Sequence, residues 1–270
     1  MSFYAKESFI MTIKKIFHPK LEFSDITHGF FTRKGGYSKS PYNSLNCSFN
    51  VEDNESDVKK NLTSICNELK LGKLIRLNQI HSSKVLVINS EYDKITNINA
   101  DGLVTKLKDV GLSVLGADCA PILFYDKISK IIGACHAGWR GAIKGIIEAT
   151  ITNMETLGAK RDDIVSVIGP TIHKESYEIK KDLALIVKET KFYKNNRSIL
   201  LQVNQDKYLF DLPLLIKESL KFSKINNFGD IDINTYEKSD LFFSHRKSTH
   251  ENFPKQGKTG RHISVIGLIS

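Results

Sequence analysis

No run of apolar residues in this 270-residue chain approaches the roughly 20 that a membrane-crossing helix needs, so no such helix is expected. The opening stretch, MSFYAKESFIMTIKK, has neither a continuous apolar core nor a small-residue cleavage site, and no secretory signal is expected there. Cysteine is scarce. Cys47, Cys66, Cys119 and Cys135 are scattered without a C-x-x-C pair, which argues for a reducing compartment, the cytoplasm by default. Helix-turn-helix, RNP and zinc-finger patterns do not occur. Repeats, low-complexity tracts and linkers are missing too, which leaves one domain over residues 21–270 behind a loosely held lead-in at 1–20.

Hydrophobic residues make up 41% and charged residues 26%, ordinary for a soluble globular protein of a length that can bury a sizeable core. The 39 lysines and arginines outweigh 30 acids, for a net charge of +9. They spread along the chain instead of forming a patch. Anionic small molecules, and neither nucleic acid nor membrane, are therefore the expected partners.

The chain is organised around IIGACHAGWRGAIKGIIEAT, residues 131–150. Ile131, Ile132, Ala134 and Cys135 read as a buried strand, and Gly138 and Gly141 bracket Trp139 and Arg140 in a tight turn. Ile143, Ile146, Ile147, Thr150, Ile151 and Met154 then recur at helical spacing. Strand, glycine turn and helix together aim backbone N–H groups, a helix dipole and Arg140 at one spot that suits an anion such as phosphate. His136 points into the same space, while strand alternation turns Cys135 the other way, into the core.

Upstream, GLSVLGADCAPILFYD (111–126) reads as a strand, a polar break at Asp118, Cys119 and Pro121, and a second strand from Ile122 to Tyr125. A lone cysteine is ordinarily a small buried hydrophobe. At a polar break beside an aspartate, Cys119 becomes a candidate for chemistry. Residues 21–32 suggest a strand or two ending in the loop RKGGYSKSPYNSLN, where Arg33 is either a ligand contact or a solvated loop residue. Residues 56–70 form a helix capped by Ser56, with Val58, Leu62, Ile65, Cys66 and Leu69 on its core face. Strands at 74–80 and 84–88 flank His81, which on its own could be an idle hairpin residue. Residues 100–105 lead into the cysteine-bearing strand, 164–168 form a strand, and 180–190 and 212–222 are helices, the last starting at Asp211 before Pro213. The basic tail from Ser244 to Arg261 is either a lid or, around Thr249 to Gln256, a surface excursion, before a closing strand at 262–269.

His81, Cys119 and His136 each sit at a polar break after an apolar strand. If those strands lie side by side, all three meet at one rim of a sheet. Two imidazoles and a thiolate suit Zn²⁺, and three protein ligands leave a fourth position for water, as in catalytic sites. Such a metal would deprotonate the thiol and lower the pKa of its water towards neutral.

RLNQIHSSKV (76–85), ADGLVT (100–105), GADCAPILFYD (116–126), CHAGWRG (135–141), LFFSHR (241–246) and TGR (259–261) resemble the successive motifs of one family. It is the YfiH-like, laccase-domain family, whose members are regarded as purine nucleoside phosphorylases. TRKGGYSKSPYNSLN (32–46) resembles its N-terminal motif. The resemblance implies an α/β (α+β) fold, a single domain of facing mixed β-sheets flanked by helices in four layers, α-β-β-α. It implies zinc held by His81, Cys119 and His136, with copper as an occupant in vitro. It also implies phosphorolysis of adenosine, inosine, guanosine or methylthioadenosine to base and ribose 1-phosphate, with adenosine deamination at the same site.

On that reading, water activated at the metal attacks C6 of adenine, and Asp118 carries a proton or holds a ligand in place. Arg140 and the N–H groups after Gly138 hold phosphate, with Arg33, Arg246 and Arg261 as further candidates. Two other readings stand beside it. In one, Cys119 is a thiolate nucleophile activated by His136 or His81 in an amidase acting on peptidoglycan precursors. In the other, the protein is a zinc-stabilised binding module without turnover. Multicopper oxidation needs more soft ligands than these three. The sequence departs from the family pattern in IGPTIHKESYEI (168–179), where His173, Lys174, Glu175 and Ser176 fall in a stretch that often holds a pair of cysteines. Asn234 and Glu237 replace frequent cysteines as well, and the stretch between Arg246 and Thr259 is longer than usual, which leaves substrate range open.

Overall fold

The computed structural model describes residues 12–89, 98–251 and 257–269. The chain runs through β1 (Lys15–Ile16), β2 (Ile26–Phe31), α1 (Glu55–Leu69), β3 (Lys73–Ile75), β4 (Val85–Ile88), β5 (Gly102–Thr105), β6 (Val110–Gly116), β7 (Ala120–Asp126) and β8 (Ile131–Ala137). Helices α2 (Trp139–Ile143) and α3 (Ile146–Thr156) follow, then β9 (Ile164–Ile168), β10 (Glu178–Lys180), α4 (Lys181–Glu189) and α5 (Lys191–Asn195). The last stretch holds β11 (Leu200–Gln202), β12 (Lys207–Phe210), α6 (Leu212–Phe222), β13 (Phe228–Asp230), α7 (His245–His250) and β14 (His262–Leu268). These strands build a five-stranded sheet ordered β1-β2-β14-β6-β3, a six-stranded sheet ordered β13-β9-β7-β8-β5-β4, and a small sheet ordered β10-β12-β11. Both large sheets mix parallel and antiparallel pairs.

Alternation along the strands decides which core each residue enters. On β7, Leu123 and Tyr125 lie in the core between the two large sheets, while Ile122 and Phe124 pack beneath the helices. On β8, Ile132 and Ala134 join the first core, and Ile131 and Cys135 the second. Both faces of this sheet are buried, which is why its strands read as unbroken apolar runs. Outside it, α3 buries Ile146, Ile147, Thr150, Ile151 and Met154. Each large aliphatic among them contributes about 1.5–3 kcal/mol. Leu212, Leu215, Ile216 and Leu220 of α6 extend the same core. On the far side, α1 covers the five-stranded sheet through Ile65 and Leu69 against Phe31, Ile263 and Val265. The layers run helix, sheet, sheet, helix, the mixed α/β arrangement that the resemblance implies.

Several local expectations give way. The lead-in is not loose at its end: Lys15 and Ile16 pair with Phe31 and Phe30, making β1 an edge strand, while residues 1–11 lie outside the described residues. Asn54, not Ser56, caps α1, because its Oδ1 accepts from the N–H groups of Ser56 (2.9 Å) and Asp57 (3.3 Å) in the first turn. Cys66 is half-buried. The strand expected at 74–80 stops at Ile75, since the chain there leaves one sheet for the other. Pro121 does not break the chain: it stands second in β7, opposite His136, before pairing with β9 begins at Ile122, so its missing N–H costs no ladder bond on that side. Trp139 and Arg140 belong to the five-residue α2, and Gly145 at φ +89° turns the chain into α3 where a single helix was expected. Part of the tail, 252–256, lies outside the described residues.

Candidate metal centre and active site

Two connections carry the chain from the five-stranded sheet into the six-stranded one, β3 to β4 and β6 to β7. His81 lies on the first and Cys119 on the second. His136 arrives on β8, the antiparallel neighbour of β7. The three therefore meet at the mouth between two sheets, and not at the rim of adjacent strands in one sheet. Their ligand atoms lie within 4.8 Å of one another, with Cys119 Sγ 3.9 Å from His81 Nε2. The two imidazoles stand edge to face, ring centroids 4.8 Å apart.

The residue that builds this cluster is Asp101, which the sequence reading passed over. It is fully buried ahead of β5. Its Oδ1 accepts from His136 Nδ1 and from the His81 N–H, both at 2.9 Å. Its Oδ2 accepts from the N–H groups of Ile80 (3.2 Å) and Ser82 (2.6 Å) and from the Ser82 hydroxyl (2.7 Å). One carboxylate thus fixes the turn that holds His81 at φ +57° and orients the His136 ring with Nε2 towards the site. Burial would raise its pKa, but the hydrogen bonds from His136 and Ser82 bring it down to about 2. The only signal in the sequence was a charged residue at the head of an apolar strand.

Burial pushes the Cys119 thiol up, yet His136 and His81 outweigh it and bring the pKa down to about 6. Burial lowers His136, while Cys119 and Asp101 raise it to about 9. The site is thus built to hold a thiolate, the form that binds a borderline-soft cation. Space is kept for the donors by Gly138, where a Cβ would come within 2.8 Å of Cys119 Sγ and 3.1 Å of His81 Cδ2. A bare backbone at this position and two nitrogen donors beside a thiolate fit a divalent metal. Cys135, one residue from His136, faces the helices, and burial raises its thiol to about 12.

Other residues singled out from the sequence divide sharply. Asp118 lies beside Cys119, but its carboxylate is occupied: Oδ1 accepts from the Thr235 hydroxyl and Oδ2 from the Arg246 N–H, each at 2.7 Å. Its carbonyl accepts from the Thr171 hydroxyl (2.6 Å) and the Ile172 N–H (2.9 Å). These bonds strap the Cys119 turn in place, in line with the second of the two roles expected of Asp118, holding a ligand in position. Arg33 is a loop brace, donating to the carbonyls of Asn43 (2.8 Å) and Ser239 (3.0 Å) and stacking on Phe243. Gly138 serves as space under the donors, and the short α2 adds little dipole for an anion. Arg261 donates to the carbonyls of Thr259 and Gly260, and Cys119 and Asp118 are charges that it feels. Arg246 donates to the Glu178 carbonyl at 2.7 Å. Arg140 is exposed, stacks on Trp139 at 4.3 Å, and its guanidinium bonds to no other described residue. Asn234 donates to the Ser176 hydroxyl at 2.9 Å.

The model of the family described as multi-copper polyphenol oxidoreductase laccase matches residues 27–269. A purine nucleoside phosphorylase of Rickettsia prowazekii is 34% identical over 213 residues, covering 76% of this chain and 83% of the relative. Purine nucleoside phosphorylase YlmD of Bacillus subtilis is 30% identical over 258 residues, covering 90% of this chain and 89% of the relative. Among solved structures, the hypothetical protein YfiH of Bacillus licheniformis superposes with a TM-score of 0.81 at 28% identity, over 90% of this chain and 92% of that one. With motifs, fold and relatives in agreement, the chain belongs to the multi-copper polyphenol oxidoreductase laccase family, the family of YfiH and YlmD.

Proposed function

We propose that this chain is a zinc-dependent purine nucleoside phosphorylase that also deaminates adenosine. The observation that carries this reading is the His81–Cys119–His136 donor set, held by Asp101 at the mouth between the sheets. The names of its relatives supply the substrate class, purine nucleosides and phosphate. Four free cysteines fit a reducing compartment, and a cytoplasmic location is part of the same reading.

His81, Cys119 and His136 would hold the zinc, which when bound supplies Lewis acidity that makes water reactive near neutral pH. Asp101 keeps His136 in the tautomer that presents Nε2, and Gly138 keeps side chains out of the donor set. Asp118 holds the turn on which Cys119 stands. Arg140, with Arg246 and Arg261 further round, places positive charge where phosphate must approach C1′ of the nucleoside as an oxocarbenium-like sugar forms.

The test incubates purified, metal-assayed protein with adenosine or inosine, with and without phosphate, alongside His136→Ala. Phosphate-dependent release of adenine and hypoxanthine is expected, together with inosine from adenosine without phosphate, and the variant loses both. No product from zinc-loaded protein would overturn the reading. The Cys119 thiol, drawn down to about 6 beside two imidazoles, favours one alternative, a cysteine hydrolase acting on peptidoglycan precursors. That enzyme would survive chelation and lose activity when its metal-free form is alkylated.

A further inference from the structure

Tyr177 carries a hydrogen-bond donor that finds no partner among the described residues. One side of its ring packs on Phe210, centroids 5.4 Å apart, and the Arg246 guanidinium lies over the ring at 5.1 Å. Arg246 is itself tied at both ends, through its N–H to Asp118 and through Nη1 to the Glu178 carbonyl, so the ring is pinned. The hydroxyls of Tyr125, Tyr208 and Tyr236 meet Asp25, Lys188 and His250. That of Tyr177, on a half-buried residue, hydrogen-bonds to no other described residue.

With Phe210 and the Arg246 guanidinium both against the ring, the hydroxyl is its free recognition element. Cys119, Arg246, Asp118 and Arg140 are the charges around it, and burial together with the two anionic neighbours raises its pKa, so it stays a donor. A donor beside two guanidiniums suits an anionic oxygen. We propose that the Tyr177 hydroxyl donates a hydrogen bond to the phosphate co-substrate, with Arg140 and Arg246 supplying the charge around it. This rests on the phosphorolysis reading above.

The experiment compares zinc-loaded wild type and Tyr177→Phe, measuring KM for phosphate at saturating inosine, KM for inosine at saturating phosphate, and the rise in Tm caused by inorganic phosphate. The variant should raise the phosphate KM by about tenfold, the worth of one hydrogen bond to a charged group, and lose most of the phosphate-induced Tm rise. The inosine KM and phosphate-independent adenosine deamination should not move. A raised inosine KM with unchanged phosphate KM, or no change in either, would overturn the proposal. If wild type shows no phosphorolysis, the functional reading fails and the Tm decides alone: a phosphate-induced rise confined to wild type supports the Tyr177 site, and equal or absent rises overturn it.

Discussion

The mouth between the sheets and the helix-covered face of the six-stranded sheet each hold a cysteine, and the two differ in kind. Cys119, just before β7, has its thiol drawn down to about 6, whereas Cys135, on the neighbouring β8, has its thiol pushed up to about 12. Burial penalises the thiolate at both. What separates them is the company: two imidazoles at the mouth, and the apolar residues beneath α3 on the other face. A single step along β8, from Cys135 to His136, crosses from core to chemistry because adjacent strand residues point to opposite faces.

Removing a donor from the mouth should break that contrast most severely. Cys119→Ala is expected to purify with zinc well below one equivalent and to lose nucleoside turnover by at least on the order of 10³-fold, read by metal analysis and product chromatography. Asp101→Asn keeps the shape but not the charge that orients His136. Zinc affinity should fall about 10- to 100-fold in a chelator competition. The same variant has a pH signature. Asp101 has a folded pKa of about 2, below its ordinary 3.8, so its contribution to stability is present above 3.8 and lost as pH falls through about 2. Urea unfolding of metal-free protein should show wild type and variant converging across that window.

The features that sequence alone disclosed are those set by local period. The strand at Ile164–Ile168, the side taken by Cys135, and the helix begun by Asp211, whose Oδ1 accepts from the Leu214 N–H, depend on neighbours a few residues away. Sheet membership does not. β3 and β4 are close in sequence, yet β3 pairs with β6 and β4 with β5, so His81 sits on a crossover where a hairpin was equally readable. Asp101 and Tyr177 went unnoticed for the same reason: their significance lies in distant partners, His136 and Arg246. The bracing contacts of Arg33 are hidden from the sequence for the same reason. Its donors go to carbonyls, one of them on Ser239, far along the chain, which no motif announces.

Labelling sharpens the contrast by chemistry alone. In metal-free native protein, iodoacetamide should modify Cys119 at a rate that climbs about tenfold per pH unit and levels off above pH of about 6, while Cys135 stays unlabelled until the chain unfolds. Peptide mapping separates the two sites. Uniform labelling of both would mean that the helix-covered face is open.

The smallest effect belongs to Cys135→Ala. The side chain is fully buried beneath α3, so deleting its sulfur removes packing contacts and leaves a small void. The substitution does not change the path of β8, because the strand is paired on both sides, with β5 and β7. A loss of about 1 kcal/mol in urea unfolding is expected, at the low end for core truncations, with zinc content and turnover unchanged. His136 is the adjacent residue, but its ring is held from the opposite face by Asp101, so a hole beneath α3 should not reach it. A fall in turnover larger than the stability loss explains would show that the helix layer positions the metal ligands. The two faces of the sheet would then be coupled and not merely adjacent.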